Sequence, residues 1–419
     1  MILLFFYFLL GFTFGFPAVS LQFYLMEDKA MPPPAMAALM GIISIPWCFK
    51  PLIGLFSDMV PIFGLHRKPY IIIGLVIAGA SWWIMPYTND GMGLMLFLGS
   101  FGICIADVAC DCLLVIAARE EKEDEKGSVQ SYAWGLRAAG GLLASVVGPI
   151  SYNNIGAELT FCITGCIPIL FATTIPMLKE DHRDMLKDSK PISNPLRKLF
   201  EAFRNPKIWQ PALFIIILNI TPGYGTVLAY FFERVLKFTP YNFAALDIAG
   251  SVSAILGTML YKKYLTKVPL RRLFFWTLLI AWILRWMHLV LITRLLPQID
   301  MAFAIGESIA LTLVAQAILL PIVVMVASIT PKGIEGSLYA TMMSLSNLSS
   351  VVSTEWGSLM AESMGITRDN FGGLLKLAVM CNIIGLIPLF AVRLVRADVE
   401  EKKNTDEEEA TLATEGDTL

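Results

Sequence analysis

The chain has 419 residues, of which 56% are hydrophobic and only 16% are charged, and its mean hydropathy is +0.66. Soluble domains carry about 25% charged residues, so this composition excludes an ordinary soluble protein and indicates one that crosses a membrane several times. The net charge of −2 gives no basis for a nucleic-acid partner.

Apolar segments long enough to cross a bilayer follow one another along the chain. A hydrocarbon core of about 30 Å needs about 20 helical residues. The segments that meet this length predict twelve transmembrane helices, at approximately 2–25, 35–57, 69–87, 92–118, 128–152, 158–178, 207–235, 241–263, 271–292, 300–329, 335–363 and 371–395. The first is too long for a signal peptide and has no basic leader, and its early start would also fit a shortened N-terminus.

The longest polar interval divides these helices into two groups of six. We predict an N-terminal six-helix bundle at 1–178, a cytoplasmic central linker at 179–206 and a C-terminal six-helix bundle at 207–395. The acidic segment 396–419 is nearly free of large apolar residues, which predicts a disordered tail. Most of the 32 Lys and Arg residues fall on the side that holds both termini, so both termini are predicted to be cytoplasmic.

The two halves also contain similar sequences at matching positions. The stretch after the second helix reads GLFSDMVPIFGLHRKPY, and the stretch after the eighth reads GTMLYKKYLTKVPLRRLFF. Each has a glycine, a short polar link and a basic pair before the next helix. An all-α membrane protein of two parallel six-helix bundles has the architecture of the major facilitator superfamily.

The first of these loops carries a candidate gating motif. Gly54-x-x-x-Asp58 is followed by the basic pair Arg67 and Lys68. Gly54 would let two helices approach closely, and Asp58 could accept hydrogen bonds from a facing helix or pair with a base, which would hold one state of a cytoplasmic gate. The alternative is a polar turn with the ordinary positive charge of a cytoplasmic loop.

Four charged residues lie inside predicted helices of the N-terminal half. Asp107 and Asp111 share one face of the fourth helix because they are four residues apart. Lys50 and Arg137 fall at a similar depth, about 10–16 Å from the inner helix ends at about 1.5 Å per residue. Such charges cost about 2.5–3.5 kcal/mol each at the centre of a helix. They therefore form either a structural network between helices or a site for substrate and coupling ion.

The C-terminal half offers a second set of polar residues. Arg285 and Glu307 could pair, and Asn347 lies in a polar run, SLSNLSS, that could line a cavity or join helices. The sequence NITPGYG at 219–225 places a proline and two glycines inside the seventh helix, which indicates a hinge.

The motifs together resemble the folate-biopterin transporter family of the major facilitator superfamily. The family pattern PW-x-x-KP-x-x-G-x-x-SD-x-x-P-x-x-G-x-x-R-(R/K)-x-Y is matched by Pro46, Trp47, Lys50, Pro51, Gly54, Ser57, Asp58, Pro61, Gly64, Arg67, Lys68 and Tyr70. Further stretches resemble the family's fourth, fifth and eleventh helices: ADVACDCLLVIAARE, GSVQSYAWGLRAAGGLLAS and IEGSLYATMMSLSNLSSVVS. The resemblance covers nearly the whole chain in order.

This resemblance implies a secondary active transporter that moves folate or pterin compounds by alternating access, with protons as the expected coupling ion. A carboxylate of Asp107 or Asp111 could accept the N–H donors of a pterin edge, and one of the two could carry the proton. Arg137 or Lys50 could balance the carboxylates of a folate tail. Trp47 and Trp134 either stack on the pterin or serve in packing.

Other functions stay open at this point. The cargo could be another charged metabolite, derived from an amino acid or a nucleoside, and a non-transporting receptor or scaffold is the alternative outside transport. An enzyme finds no support in the motifs. We expect no cofactor and no metal, because the seven cysteines lie in apolar stretches. We further expect a monomer in the lipid bilayer of the plasma membrane or of an organelle.

Overall fold

The computed structural model describes residues 2–88, 90–119, 128–178, 201–266, 268–329 and 335–395. These ranges are almost entirely helical, apart from turns and one isolated bridge between Ile62 and Leu65. The long helical segments are α1 Ile2–Asp28, α2 Pro33–Ser57, α3 Lys68–Tyr87, α4 Met92–Arg119, α5 Ser128–Ala172, α6 Pro206–Arg234, α7 Pro240–Leu265, α8 Leu270–Ile292, α9 Asp300–Ile329, α10 Glu335–Ser363 and α11 Leu374–Leu394.

Ten helical segments in the described ranges are long and apolar enough to cross a membrane. The protein is therefore a multi-pass membrane protein, as predicted. One of the ten, Tyr132–Met177, has 46 residues, about twice the length that a bilayer requires. Helix α10, with 29 residues, is not among the ten. The number of twelve crossings stays a prediction.

Helix α5 runs along α1 twice, in opposite directions. Gly140 and Gly148 lie against Phe8 and Phe16 of α1 on the first pass. On the second pass Phe161 contacts Tyr24 and Phe171 contacts Phe6, so the chain returns toward the start of α1. The reversal occurs at Gly156, whose φ of 79° favours glycine. This break falls between the predicted helices 128–152 and 158–178.

Prolines mark several boundaries and irregularities of the helices. Pro33, Pro206 and Pro240 begin α2, α6 and α7, where the missing N–H group costs no hydrogen bond. Within α2, the chain tightens into a 3₁₀ turn at Ile45–Phe49 around Pro46. Helix α6 is interrupted at the predicted hinge, since α-helix ends at Ile220 and resumes at Gly225. The hydroxyl of Ser353 donates to the freed carbonyl of Thr221 there.

The described residues divide into two compact units. The first unit contains the residues up to 178 together with Tyr224–Ser251 and Thr354–Leu374, and the second contains 201–223, Val252–Ser353 and 375–395. The predicted domains 1–178 and 207–395 stay a prediction. Most of the predicted linker 179–206, and the tail 396–419, lie outside the described residues.

In the first unit, segments of α6 and α10 are hydrogen-bonded to the chain around the α1–α2 turn. The Tyr230 hydroxyl donates to the carbonyl oxygen of Met31 at 2.5 Å, and the Ser358 hydroxyl donates to that of Pro34 at 2.7 Å. Both donors are far from their acceptors in the sequence, so these contacts are tertiary. We call the part of the first unit around this turn the closed end.

Candidate functional site

The four charged residues singled out from the first half of the sequence meet in the first unit. The Lys50 ammonium group forms an ion pair with the Asp107 carboxylate and lies 3.6 Å from Oδ2 of Asp111. Nη1 of Arg137 lies 3.8 Å from Oδ1 of Asp107. The four side chains come from α2, α4 and α5, and we call them the charge cluster. It contains two acids and two bases, so its formal charges balance.

Helix geometry explains how the acids reach both bases. Asp107 and Asp111 are one turn apart on α4, so both carboxylates point to the same side of that helix. Lys50 follows the 3₁₀ turn of α2 and begins the α-helical stretch after it. A basic side chain at that point can span two carboxylates about 6 Å apart along α4.

The position of Arg137 depends on a close contact between backbones. A Cβ atom on Gly11 would overlap the carbonyl oxygen of Arg137, and one on Gly140 would overlap that of Phe8. Only glycine at these positions lets α1 and the first pass of α5 come together in this way. The two helices therefore hold Arg137 beside α4 through main-chain packing.

Exposure separates one member of the charge cluster from the other three. The Asp107 side chain is 1% exposed, whereas those of Lys50, Arg137 and Asp111 are 24%, 27% and 47% exposed. Asp107 is thus the buried counter-charge that holds both bases. Asp111, Lys50 and Arg137 retain surface that a small molecule can reach.

A tyrosine that the sequence did not single out completes the cluster. The Tyr7 hydroxyl donates to Oδ1 of Asp111 at 2.7 Å, and the Tyr7 residue is 1% exposed. The bond fixes one oxygen of the accessible carboxylate and leaves Oδ2 toward Lys50. The only sequence signal was the single hydroxyl in the apolar run ILLFFYFLL.

Aromatic rings flank the two bases. The Lys50 ammonium lies 4.8 Å from the centre of the Trp47 ring, and the Arg137 guanidinium lies 5.2 Å from that of Trp134 and 5.8 Å from that of Phe14. These distances are within the range of cation–π attraction. The Trp47 and Phe14 rings are 5.5 Å apart, so they form one wall. Phe14 is a second residue that the sequence did not single out.

The two tryptophans differ in how firmly they are held. Trp47 is partly buried, and its indole N–H donates to the Ser100 hydroxyl at 3.0 Å, which fixes the ring plane. Trp134 is 56% exposed. The Trp47 ring is therefore a positioned face, and the Trp134 ring is an accessible one.

The predicted gating loop is organised by Arg67 and a serine. Arg67 is only 5% exposed, and its guanidinium donates to the hydroxyl of Ser57, which in turn donates to the carbonyl oxygen of Gly54 at 2.8 Å. Lys68 begins α3. The side chain of Asp58 lies outside the described residues, so its role in a cytoplasmic gate stays a prediction.

The expectation that Gly54 permits a close helix approach is not met. A Cβ atom there would meet Cγ1 of Val108 at 3.5 Å, which is an ordinary van der Waals contact. The close approaches in the first unit occur instead at Gly11, Gly140 and other glycines of α1, α3, α4 and α5. Spacing in the sequence does not reveal which glycine faces a neighbouring backbone.

Arg285 and Asn347 belong to the second unit and are not part of the charge cluster. The suggested pairing of Arg285 with Glu307 is wrong, because Oε1 of Glu307 lies 3.3 Å from Nε2 of His288 instead. The backbone carbonyl of Arg285 accepts a hydrogen bond from the Asn382 side chain at 3.2 Å. Asn347 is half-buried on α10.

In the polar run around Asn347, serine hydroxyls donate hydrogen bonds to backbone carbonyls of α10 itself. Ser349 donates to the carbonyl oxygen of Leu345 at 2.7 Å, and Ser350 donates to that of Ser346 at 3.1 Å.

Among the residues that the structure describes, no group of three or more His, Cys, Asp or Glu side chains is placed to hold a metal ion.

Solved structures with the same fold are membrane transporters. A structure of the nucleoside transporter NupG superposes with a TM-score of 0.74 at 14% identity, covering 94% of this chain and 97% of that chain. A D-xylose-proton symporter gives a TM-score of 0.66 at 13% identity, covering 91% and 95%. At these identities the likeness establishes the fold alone. The chain therefore has the fold of these two transporters.

Sequence comparison identifies the family. The sequence profile of the BT1 family matches residues 10–414. A folate-biopterin transporter from Synechocystis is 31% identical over 99% of this chain and 85% of its own length. Folate transporter 1 from Plasmodium falciparum is 24% identical over 92% of this chain and 77% of its own length. The chain belongs to the BT1 family.

Proposed function

We propose that this protein transports folate or pterin compounds across a membrane by alternating access, with protons as the coupling ion. The observation that carries the proposal is the charge cluster, in which three accessible charged side chains surround one buried aspartate beside positioned aromatic rings. The names of the relatives from Synechocystis and Plasmodium falciparum support the same class of cargo.

Each accessible side chain then has a chemical role. A pterin edge presents an amino group and ring N–H donors, and the carboxylate of Asp111 accepts such donors. Arg137 and Lys50 can balance the carboxylates of a folate tail. Trp47 and Trp134 offer ring faces for the pterin. Asp111, with one oxygen held by Tyr7, is the proposed carrier of the coupling proton.

The transport cycle is proposed to move two six-helix bundles, 1–178 and 207–395, in a chain whose termini are both cytoplasmic. The α1–α2 turn then lies on the non-cytoplasmic side, so the closed end would be the shut gate of an inward-facing state. The gating loop with Gly54, Asp58, Arg67 and Lys68 would act on the cytoplasmic side. The working unit is proposed to be a monomer.

Uptake into proteoliposomes tests the proposal directly. Labelled folate and biopterin are supplied with and without an inward proton gradient, and at least one is expected to accumulate faster with the gradient. No uptake of either compound contradicts the cargo, and a rate that ignores the gradient contradicts proton coupling.

A matched pair of variants assigns the activity to the cluster. Asp111→Asn is expected to abolish acceleration by the proton gradient. Asp300→Asn is the control, because Asp300 pairs with Arg294 at 3.2 Å in the second unit. Both are compared at equal protein abundance. Unchanged acceleration in Asp111→Asn contradicts the proposed proton carrier.

A second candidate cargo is another small metabolite with both charges, such as a compound derived from an amino acid. The balanced charges of the cluster favour it, because two acids and two bases can pair with both ends of a zwitterion. Competition by a panel of such compounds against labelled folate discriminates the two. Stronger competition from an amino acid than from any pterin would favour this candidate.

A further inference from the structure

A basic groove lies in the second unit between the start of α8 and the end of α11. It has a volume of about 550 Å³. Among the described residues, its lining includes Arg271, Arg272 and Arg393 and no acidic residue. The proposed transport function uses none of these residues. We call this feature the arginine groove.

The groove has a charged layer and an apolar layer. Phe275 is four residues after Arg271 on α8, and Phe390 is three residues before Arg393 on α11, so each pair shares a helix face. Each aromatic ring lies about one turn, or about 5 Å, further from the helix end than its arginine. Phe275 is 40% exposed and Phe390 is 64% exposed. Leu389 adds to the apolar layer.

This layering matches the chemistry of one ligand class. Arginine side chains bind phosphate with paired N–H donors, and basic pockets at the ends of transmembrane helices attract anionic headgroups. Exposed rings one turn deeper lie where acyl chains begin, because both helices continue into the hydrocarbon core. A free anion would satisfy only the charged layer. The acidic segment 396–419 follows directly, but it has few large apolar residues with which to cover the rings.

We propose that the arginine groove binds an anionic phospholipid, with the phosphate between Arg272 and Arg393 and an acyl chain against Phe275 and Phe390. Arg272 comes from α8 and Arg393 from α11. The bound lipid therefore bridges the two helix ends. Arg271 contributes further positive charge and also contacts other parts of the chain.

The test measures lipid binding to the purified full chain by native mass spectrometry in detergent. Dioleoyl phosphatidylglycerol is compared with dioleoyl phosphatidylcholine, which has the same acyl chains and no net charge. The wild-type protein is expected to bind phosphatidylglycerol about tenfold more tightly. The double variant Arg272→Gln/Arg393→Gln is expected to lose that preference. Arg272→Lys/Arg393→Lys, which keeps the charge, is expected to retain most of it.

A control with the same loss of charge separates the groove from general attraction. Lys262 and Lys263 lie at the end of α7 and are also exposed. Lys262→Gln/Lys263→Gln is expected to keep the preference for phosphatidylglycerol. Equal losses in both double variants would overturn the proposal, as would wild-type binding by Arg272→Gln/Arg393→Gln.

Two further arms distinguish other occupants. Inorganic phosphate at millimolar concentration is expected not to displace phosphatidylglycerol, and displacement would show a site for free anions. Neutralising the tail in the full chain, as Glu407→Gln/Glu408→Gln/Glu409→Gln, is expected to leave lipid binding unchanged. A tenfold gain would identify the tail as the occupant. Either of these results would overturn the lipid assignment.

Discussion

Asp107 in the first unit and Glu307 in the second are both buried carboxyl groups, but their surroundings differ. Asp107 pairs with Lys50 and lies 3.8 Å from Arg137. Glu307 is 3% exposed, and within the described residues the only basic side chain at ion-pair distance is that of His288. One acid is balanced by two permanent cations, and the other by a group whose charge depends on protonation.

The difference shows that burial alone does not distinguish the candidate site. A buried acid between two cations joins three helices and leaves those cations partly exposed. Glu307, beside His288, has no Lys or Arg at ion-pair distance in the described residues. The charge cluster therefore combines positioning with accessibility, whereas the Glu307–His288 pair is closed off from most solvent.

The largest loss of thermal stability is expected when the charge of Asp107 is removed. Asp107→Asn leaves Lys50 and Arg137 without their buried counter-charge, and breaking a buried pair costs about 3–5 kcal/mol. We expect a strong fall in the midpoint of thermal unfolding in detergent and loss of uptake. Asp111→Asn, at a side chain 47% exposed, should lower the midpoint much less. Equal midpoints for the two variants would show that burial does not separate them.

The next largest fall in thermal stability is expected when the main-chain packing that positions Arg137 is disturbed. In Gly140→Ala the new methyl group would overlap the carbonyl oxygen of Phe8, so α1 and α5 must separate. Overpacking of this kind costs about 1–3 kcal/mol. Gly135→Ala is the matched control on the same helix, because a Cβ atom there meets nothing within 4 Å. The midpoint of thermal unfolding should fall for Gly140→Ala alone, and a similar fall for both would refute the packing account.

A smaller effect is expected from the tyrosine that orients Asp111. Tyr7→Phe removes one hydrogen bond of 2.7 Å and leaves the ring in place. The loss should cost about 1 kcal/mol, the usual net value for such a bond. Because the Asp111 carboxylate is then free to rotate, we expect the Michaelis constant for folate uptake to rise several-fold. A change in thermal stability without any change in uptake kinetics would leave Tyr7 a purely structural role.

The smallest change in thermal stability is expected for a substitution of Glu307. This variant therefore tests most directly whether the carboxyl groups of Asp107 and Glu307 differ. Glu307→Gln keeps the shape of the side chain and an oxygen that can still accept a hydrogen bond from His288. We expect the midpoint of thermal unfolding to shift by less than the equivalent of about 1 kcal/mol, the net value of one hydrogen bond. A loss as large as that of Asp107→Asn would show that the two carboxyl groups are structurally equivalent.

The helices were largely predictable from the sequence because long apolar runs leave few alternatives in a bilayer. The predicted segments 92–118, 300–329 and 335–363 agree closely with Met92–Arg119, Asp300–Ile329 and Glu335–Ser363. The similar depth of Lys50, Asp107, Asp111 and Arg137 also followed, since depth along a helix can be counted from its end, but their contact did not.

The partners across the bundle could not be predicted in the same way. Tyr7 and Asp111 are separated by 104 positions, and which faces of α1 and α4 meet depends on packing rather than on spacing. Likewise, the expected pairing of Arg285 with Glu307 considered depth but not rotation about the helix axes. Histidine at position 288 lies on the face that Glu307 meets.

The reversal at Gly156 has a consequence for how the protein enters the membrane during synthesis. The hydroxyls of Ser151 and Thr160, one on each side of the turn, are hydrogen-bonded at 2.9 Å. A connection this short offers no loop that could wait in water while one helix inserts without the other. The two passes of α5 are therefore expected to leave the insertion machinery as a single helical hairpin.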